Sequence, residues 1–223
     1  LLAEQALFAA LPGKVYQRLD DAERVPDNRY FADSPLNASR FEWDWNRSYV
    51  LEPEGRPKGA AVMLHGLTDS PYSLRHIARL YRDAGFVVIG LRLPGHGTTP
   101  GALTSVTWQH WLAATRLAVR EARRLIEPGD ELQLVGYSAG GGLALKYALD
   151  ALGNDQLARP TRLTLLSPMI GVAGYARFAG LAGLPAVFPA FAKAAWLDVL
   201  PEYNPFKYNS FPLNAARQSY LFT

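Results

Sequence analysis

Residues 131–145 read ELQLVGYSAGGGLAL, and this stretch decides the fold. It begins with a short apolar run around Leu134 that is typical of a buried parallel strand. It ends with a helix-forming run that starts at Leu143. Between the two lies Gly136-Tyr137-Ser138-Ala139-Gly140, a Gly-x-Ser-x-Gly pattern. A strand, a tight turn and a helix in this order predict an α/β unit with Ser138 at the carboxyl end of the strand.

Such a turn suits a nucleophile. A serine hydroxyl reacts well only when it is aimed at a base and placed beside donors for the developing oxyanion. Glycines at positions 136 and 140 let strand and helix approach closely, so Ser138 is predicted to point into a cleft. The N–H of Ala139, at the positive end of the helix, is predicted to be one oxyanion donor. The alternative is a glycine-rich packing turn without chemistry.

A second donor is predicted in the loop after an earlier strand. His65-Gly66-Leu67-Thr68 directly follows the apolar run 61–64. The N–H of Leu67 is the candidate donor, and His65 and Gly66 support the motif. The alternative is an ordinary turn in which Gly66 supplies a special backbone angle.

The surrounding pattern alternates strands and helices. A half-exposed strand pair is predicted within 40–52, followed by strands at 59–64, 86–91, 131–135 and 162–166 and helices at 72–84, 107–126 and 139–152. This order predicts the α/β class, with a mostly parallel sheet that carries helices on both faces and has 162–166 as its sixth strand.

Three regions follow from this pattern. Residues 1–40 are predicted to form an N-terminal helix and a surface loop, and residues 41–170 the α/β core. Residues 171–223 are predicted to be a lid or cap, because 171–200 is unusually rich in Ala, Gly, Leu and Phe. Such a lid would exclude water and line an acyl-chain pocket; a helical hairpin of the core or of a dimer interface is the alternative.

Three motifs stand in a characteristic order: His65-Gly66, Pro94-Gly95-His96-Gly97 and the serine turn. Together they resemble the serine α/β-hydrolase superfamily, closest to its monoacylglycerol lipase, lysophospholipase and esterase branch, over about residues 58–170. The resemblance implies the α/β-hydrolase fold and hydrolysis of carboxylic esters through an acyl-enzyme on Ser138, with Leu67 and Ala139 as oxyanion donors. It implies no metal and no organic cofactor. A thioesterase or serine aminopeptidase would use the same turn.

The general base expected of this superfamily is missing. It should follow the nucleophile and an acid, yet His65, His76, His96 and His110 all precede Ser138. No downstream acid follows a clear strand; these acids are Asp150, Asp155, Asp198 and Glu202. We expect the last strands, with the acid and the histidine, to lie beyond Thr223. The alternative is a non-catalytic binding module.

Composition limits the partners. The 23 basic and 20 acidic residues give a net charge of +3 and form no basic block, so nucleic acid is not expected. The absence of cysteine excludes disulfides and zinc-thiolate sites. We expect a small ester or lipid as substrate, with transient membrane contact through the lid. Oligomeric state and compartment stay open: the cytoplasm is the default, and export is the alternative because the chain begins at Leu1 rather than Met.

Overall fold

A five-stranded sheet organises the residues that the computed structural model describes, which are 2–171 and 194–223. Its strands are β1 (Tyr49–Leu51), β2 (Gly59–Leu64), β3 (Phe86–Leu91), β4 (Glu131–Tyr137) and β5 (Arg162–Leu166). They lie in the order β1-β3-β2-β4-β5, and all neighbours are parallel except β1, which runs antiparallel to β3. The sheet has the α/β-hydrolase architecture that the sequence predicts.

Helices cover both faces of this sheet. The helix α1 (Leu2–Lys14) precedes the sheet in the chain, α2 (Arg75–Asp83) covers one face, and α3 (Trp108–Arg124) and α4 (Ala139–Leu152) cover the other. The last helix, α5 (Leu213–Phe222), packs on α3 and α4. A second, two-stranded sheet pairs β6 (Trp196–Asp198) with β7 (Phe211–Pro212). Among the described residues, no helix is long and apolar enough to cross a membrane.

Alternate residues of β2 feed two separate cores. Val62 and Leu64 pack with residues of α3 and α4, whereas Ala61 and Met63 pack with α2 on the opposite face. All six residues of β2 are buried, which is expected of a central parallel strand covered on both sides. The apolar residues of β2 are therefore continuous in the sequence because both faces of the strand are buried.

The predicted strand pair within 40–52 is wrong in part. Only Tyr49–Leu51 forms a strand, and the residues before it form turns. The aromatic residues that suggested strand alternation pack on one another instead: Trp43 lies 6.0 Å from Trp45, and Trp45 lies 5.4 Å from Tyr49 between ring centroids. Because one strand replaces the pair, residues 162–166 form the fifth strand of the sheet rather than the sixth.

The two terminal regions pack against the core loops. Glu4 of α1 forms an ion pair with Arg92, with 2.6 Å between Oε1 and Nε, at the end of β3. Beyond the sheet, Tyr208 and Ala215 join the larger core. Residues 172–193 of the predicted lid, 171–223, lie outside the described residues.

Candidate active site

Ser138 occupies a strained turn between β4 and α4. Its backbone angles are φ 52° and ψ −118°, a combination that costs a residue with a side chain about 1–3 kcal/mol. The strand ends at Tyr137 and the helix begins at Ala139, so the strained residue is the whole connection. The side chain of Ser138 is partly exposed at the carboxyl edge of the sheet.

Backbone hydrogen bonds hold Ser138 in this conformation. Its N–H donates to the carbonyl oxygen of Leu166 at 3.0 Å, which ties the turn to β5. Its carbonyl oxygen accepts N–H groups from Gly141 at 2.9 Å, Gly142 at 3.2 Å and Met169 at 2.9 Å. The strain persists because the surrounding structure satisfies both polar groups of the residue.

Steric contact explains the glycines on either side. A Cβ at Gly136 would overlap the carbonyl oxygen of Gly140, and a Cβ at Gly140 would overlap the carbonyl oxygen of Leu64. Neither glycine has a positive φ. The Gly-x-Ser-x-Gly spacing is therefore required by the close approach of helix and strand.

The loop after β2 lies against Ser138. A Cβ at Gly66 would lie 3.5 Å from the Cβ of Ser138 and 3.3 Å from the ring of Tyr137. Gly66 has no positive φ, so the alternative in which it supplies a special backbone angle is wrong. Leu67, the next residue, is 9% exposed, and Ala139 is 1% exposed. The structure thus brings together the loop and the turn that the sequence singled out.

The two loop histidines are occupied by backbone groups. The ring nitrogens of His65 contact the carbonyl oxygen of Gly66 and the N–H of Leu93. Those of His96 contact only carbonyl oxygens, which belong to Leu67, Leu93 and Pro94. Both nitrogens of each ring therefore lie against backbone atoms rather than against the hydroxyl of Ser138.

The remaining histidines and the downstream acids are also accounted for. His76 on α2 and His110 on α3 are exposed. Asp150 forms ion pairs with Arg116 and Lys146, and the hydrogen bond from Lys146 lowers the pKa of its carboxyl. Asp155 pairs with Arg159, Glu202 accepts the N–H groups of Asn209 and Ser210, and Asp198 is an exposed residue of β6.

Three features near the site escaped sequence reasoning. Ser167 has φ 43° and follows β5 at the same sheet edge as Ser138; the two are the non-glycine residues with positive φ in the described chain. Asp69, two residues beyond Leu67, has its pKa raised by burial. Arg29 is 4% exposed and donates to the carbonyl oxygens of Asn204 and Lys207. Of the three, only Ser167 has a signal in the local sequence, because Ser167-Pro168 directly follows the apolar run 162–166.

A metal centre has no support within the described ranges. No group of three or more His, Cys, Asp or Glu side chains gathers there in a way that could hold an ion.

Comparison with known proteins supports the hydrolase family and its fold. Residues 55–205 match the family described as serine aminopeptidase, S33 (Hydrolase_4). A thermostable monoacylglycerol lipase from Bacillus sp. strain H-257 is 32% identical over 95 residues, which are 43% of this chain and 36% of that protein. Phospholipase YtpA from Bacillus subtilis strain 168 is 25% identical over 131 residues, 58% of this chain and 45% of that protein.

A solved structure extends the likeness in the fold. It comes from a study of LipS and LipT, two metagenome-derived lipolytic enzymes, and superimposes with a TM-score of 0.63 at 22% identity over 80% of this chain and 68% of that chain. The matched part of this chain spans less than half the length of the two Bacillus proteins.

Proposed function

Because the chain belongs to the serine aminopeptidase S33 family of α/β-hydrolases, we propose that it hydrolyses carboxylic esters through an acyl-enzyme on Ser138. One observation carries the proposal. Ser138 stands in a strained strand-to-helix turn, and the loop of Gly66 and Leu67 lies against it. This is the geometry in which a serine and its oxyanion donors share one cleft.

The proposed reaction uses two backbone donors. The Oγ of Ser138 attacks the ester carbonyl carbon, and the carbonyl oxygen becomes an oxyanion that accepts the N–H groups of Leu67 and Ala139. The C–O bond to the alcohol then breaks, and the alcohol leaves with the proton that Ser138 gave up. Water repeats the attack on the acyl-enzyme and releases the acid. A general base must carry these protons.

We propose lipophilic esters as the substrate class. Tyr137, next to Ser138 in the chain, is 39% exposed and would offer an aromatic surface beside the nucleophile. The names of the similar Bacillus proteins, a monoacylglycerol lipase and a phospholipase, support a lipid-like acyl group. The predicted lid after residue 171 would extend this apolar surface and provide the transient contact with a lipid surface.

Peptide-bond hydrolysis is the second candidate, because the matching family is described as serine aminopeptidase. The same turn would serve an amide substrate. A series of p-nitrophenyl esters compared with aminoacyl p-nitroanilides separates the two. We expect turnover of the esters that rises from acetate to octanoate, and turnover of the anilides alone would favour the aminopeptidase.

A fluorophosphonate probe tests the nucleophile directly. We would record the intact mass of wild type, Ser138→Ala and Ser105→Ala after incubation, on this chain and on the full-length gene product. Ser105 is exposed at the end of a short helical turn and serves as the control. We expect one adduct on full-length wild type and on Ser105→Ala, and none on Ser138→Ala. Labelling that survives in Ser138→Ala, or no labelling of any form, would reject the proposal and favour a binding module.

A further inference from the structure

Two buried histidines touch the loop that faces Ser138. His65 and His96 are each 0% exposed, and their ring centroids lie 4.8 Å apart in an edge-to-face arrangement. Both bind backbone atoms of the same short loop. Their protonation states determine which of these atoms they can hold.

His65 has one tautomer that fits its contacts. The N–H of Leu93 donates to Nε2 at 3.1 Å, so Nε2 carries a lone pair. Burial lowers the pKa of His65 well below its ordinary value, and the ring is therefore neutral at pH 7. Its single proton lies on Nδ1, which donates to the carbonyl oxygen of Gly66 at 2.8 Å.

This bond, together with a longer one from the N–H of Asp69 at 3.2 Å to the same carbonyl oxygen, fixes the direction of the Leu67 N–H. The carbonyl of Gly66 and the N–H of Leu67 belong to the same planar trans peptide group, so they point in opposite directions. With the carbonyl held on His65, the N–H must point away from the buried ring. A donor at the carbonyl oxygen also polarises the peptide group and strengthens its N–H as a donor.

His96 holds the next peptide group along the loop. Its Nε2 lies 2.6 Å from the carbonyl oxygen of Leu67, whereas Nδ1 lies 3.1 Å from that of Pro94 and 3.2 Å from that of Leu93. Carbonyl oxygens only accept, and a neutral imidazole has one N–H. Because the contact with Leu67 is the shortest, we assign the proton to Nε2. Burial lowers the pKa of His96 to about 4, which keeps the ring neutral at pH 7.

The His96 ring is itself held in place. The ring of Tyr208 is nearly parallel to it, with a centroid distance of 6.3 Å and an angle of 9°. The hydroxyl of Tyr208 accepts the N–H of Thr98 at 2.8 Å and donates to the carbonyl oxygen of Gly95 at 3.1 Å. The residues on either side of His96 are thereby tied to the ring that stacks on it.

We propose that His65 and His96 are positioning residues that fix the two peptide groups flanking the Cα of Leu67 and so preorganise its N–H for the oxyanion. The inference rests on the proposed function, in which Leu67 is an oxyanion donor. A donor that is already aimed stabilises charge that develops in the transition state. Loss of the correct orientation of the Leu67 N–H therefore lowers kcat and leaves KM nearly unchanged.

Two amide substitutions of His96 separate this contact from burial. The amide nitrogen of glutamine in His96→Gln can take the place of Nε2 and donate to Leu67. The amide nitrogen of asparagine in His96→Asn takes the place of Nδ1 and reaches only the carbonyl oxygens of Leu93 and Pro94. His76→Gln, at an exposed position of α2, is the matched control.

We would measure kcat and KM for a p-nitrophenyl ester, and the inhibition constant of a trifluoromethyl ketone that forms a tetrahedral adduct, with the full-length gene product. In His96→Asn we expect kcat to fall about 100-fold with KM little changed, and the inhibition constant to rise in parallel. His96→Gln should recover at least about tenfold of the lost kcat, and His76→Gln should match wild type. Equal kcat in the Asn and Gln variants, at equal melting temperature, would overturn the proposal.

A second readout does not depend on hydrolysis. In the ¹H–¹⁵N spectrum, the Leu67 and Thr68 amide peaks should shift in His96→Asn and stay near their wild-type positions in His96→Gln. The reverse pattern would overturn the positioning role, even in a protein without activity. The variants could show the expected peak pattern while the wild type neither labels with fluorophosphonate nor turns over esters. That result would reject the proposed function and keep the positioning of Leu67 by His96.

Discussion

The N–H of Ser138 donates to the carbonyl oxygen of Leu166 at 3.0 Å, which continues the pairing of β4 with β5 one residue past the end of β4. This bond anchors the strained residue to a neighbouring strand. Because a strand inside a sheet cannot turn to relieve the strain, Ser138 keeps its positive φ in the folded protein.

The strain predicts an unusual order of stabilities at position 138. Ser138→Gly should be more stable than Ser138→Ala by about 1 kcal/mol, because glycine adopts a positive φ without a steric penalty. Urea unfolding monitored by tryptophan fluorescence gives the two free energies. At Ser105, which is exposed and has φ −118°, the order should reverse. A Ser138→Ala protein as stable as Ser138→Gly would show that the turn is not strained.

The contact between α4 and β2 predicts a severe effect of a single methyl group. Gly140→Ala should lower the free energy of unfolding by about 3 kcal/mol or more, because the new Cβ would overlap the carbonyl oxygen of Leu64 in a rigid core. Gly153→Ala is the control, since Gly153 has negative φ and nothing lies within 4 Å of its Cβ position. Soluble yield and thermal melting measure both, and similar melting temperatures would contradict the steric account.

The buried guanidinium of Arg29 predicts a large loss on substitution. Arg29→Met should destabilise the protein by about 2–4 kcal/mol, because the carbonyl oxygens of Asn204 and Lys207 and the side-chain oxygen of Asn46 lose their donor. Arg24→Met, in the same N-terminal region but exposed, should change stability by less than about 0.5 kcal/mol. Urea midpoints compare the two variants. Equal midpoints would mean that the buried contacts contribute little.

The pKa of His96 predicts how stability depends on pH. The unfolded ring titrates near 6.5 and the folded ring near 4, so the unfolded state binds the proton first as the pH falls. The stability from a neutral His96 is complete above pH 6.5 and declines between pH 6.5 and 4. From pH 7.5 to 5.0, wild type should lose about 2 kcal/mol more than His96→Gln.

The pH measurement needs a control variant that leaves the surroundings of His96 unchanged. Besides burial, the charge of Arg92 lowers the pKa of His96, and Tyr208 stays neutral because burial raises its pKa to about 12. His76→Gln removes an exposed histidine and should keep the full wild-type pH dependence. If His96→Gln keeps it as well, the titrating group is not His96.

Local sequence predicts the central fold well, for physical reasons that particular residues show. The buried run of β2 and the helical periodicity of α3 arise from burial within a few turns of chain. The serine turn is readable because both of its glycines are required by close backbone contacts, Gly136 with Gly140 of the same turn and Gly140 with Leu64 at the end of β2. The alternating aromatics around Trp43 and Trp45 were misread, because rings that pack on each other produce the same pattern as a strand.

The supporting structure around the site could not be read in this way. Arg29 looks like any polar loop residue until the chain near position 204 covers it. The orientation of the Leu67 N–H depends on which nitrogen of His65 accepts the N–H of Leu93, and only the folded structure brings these two residues together. Residue type alone indicates neither the partners of Arg29 nor those of His65.

The stack of Tyr208 on His96 also determines when the loop can be completed. The hydroxyl of Tyr208 accepts from Thr98, a residue 110 positions earlier in the chain. At about 5–20 residues per second, a ribosome delivers Tyr208 roughly ten seconds after Thr98, by which time β2 and β3 are already available to pair. A nascent chain therefore carries its histidine loop uncovered for that interval, and the loop that faces Ser138 is among the last parts of the molecule to become rigid.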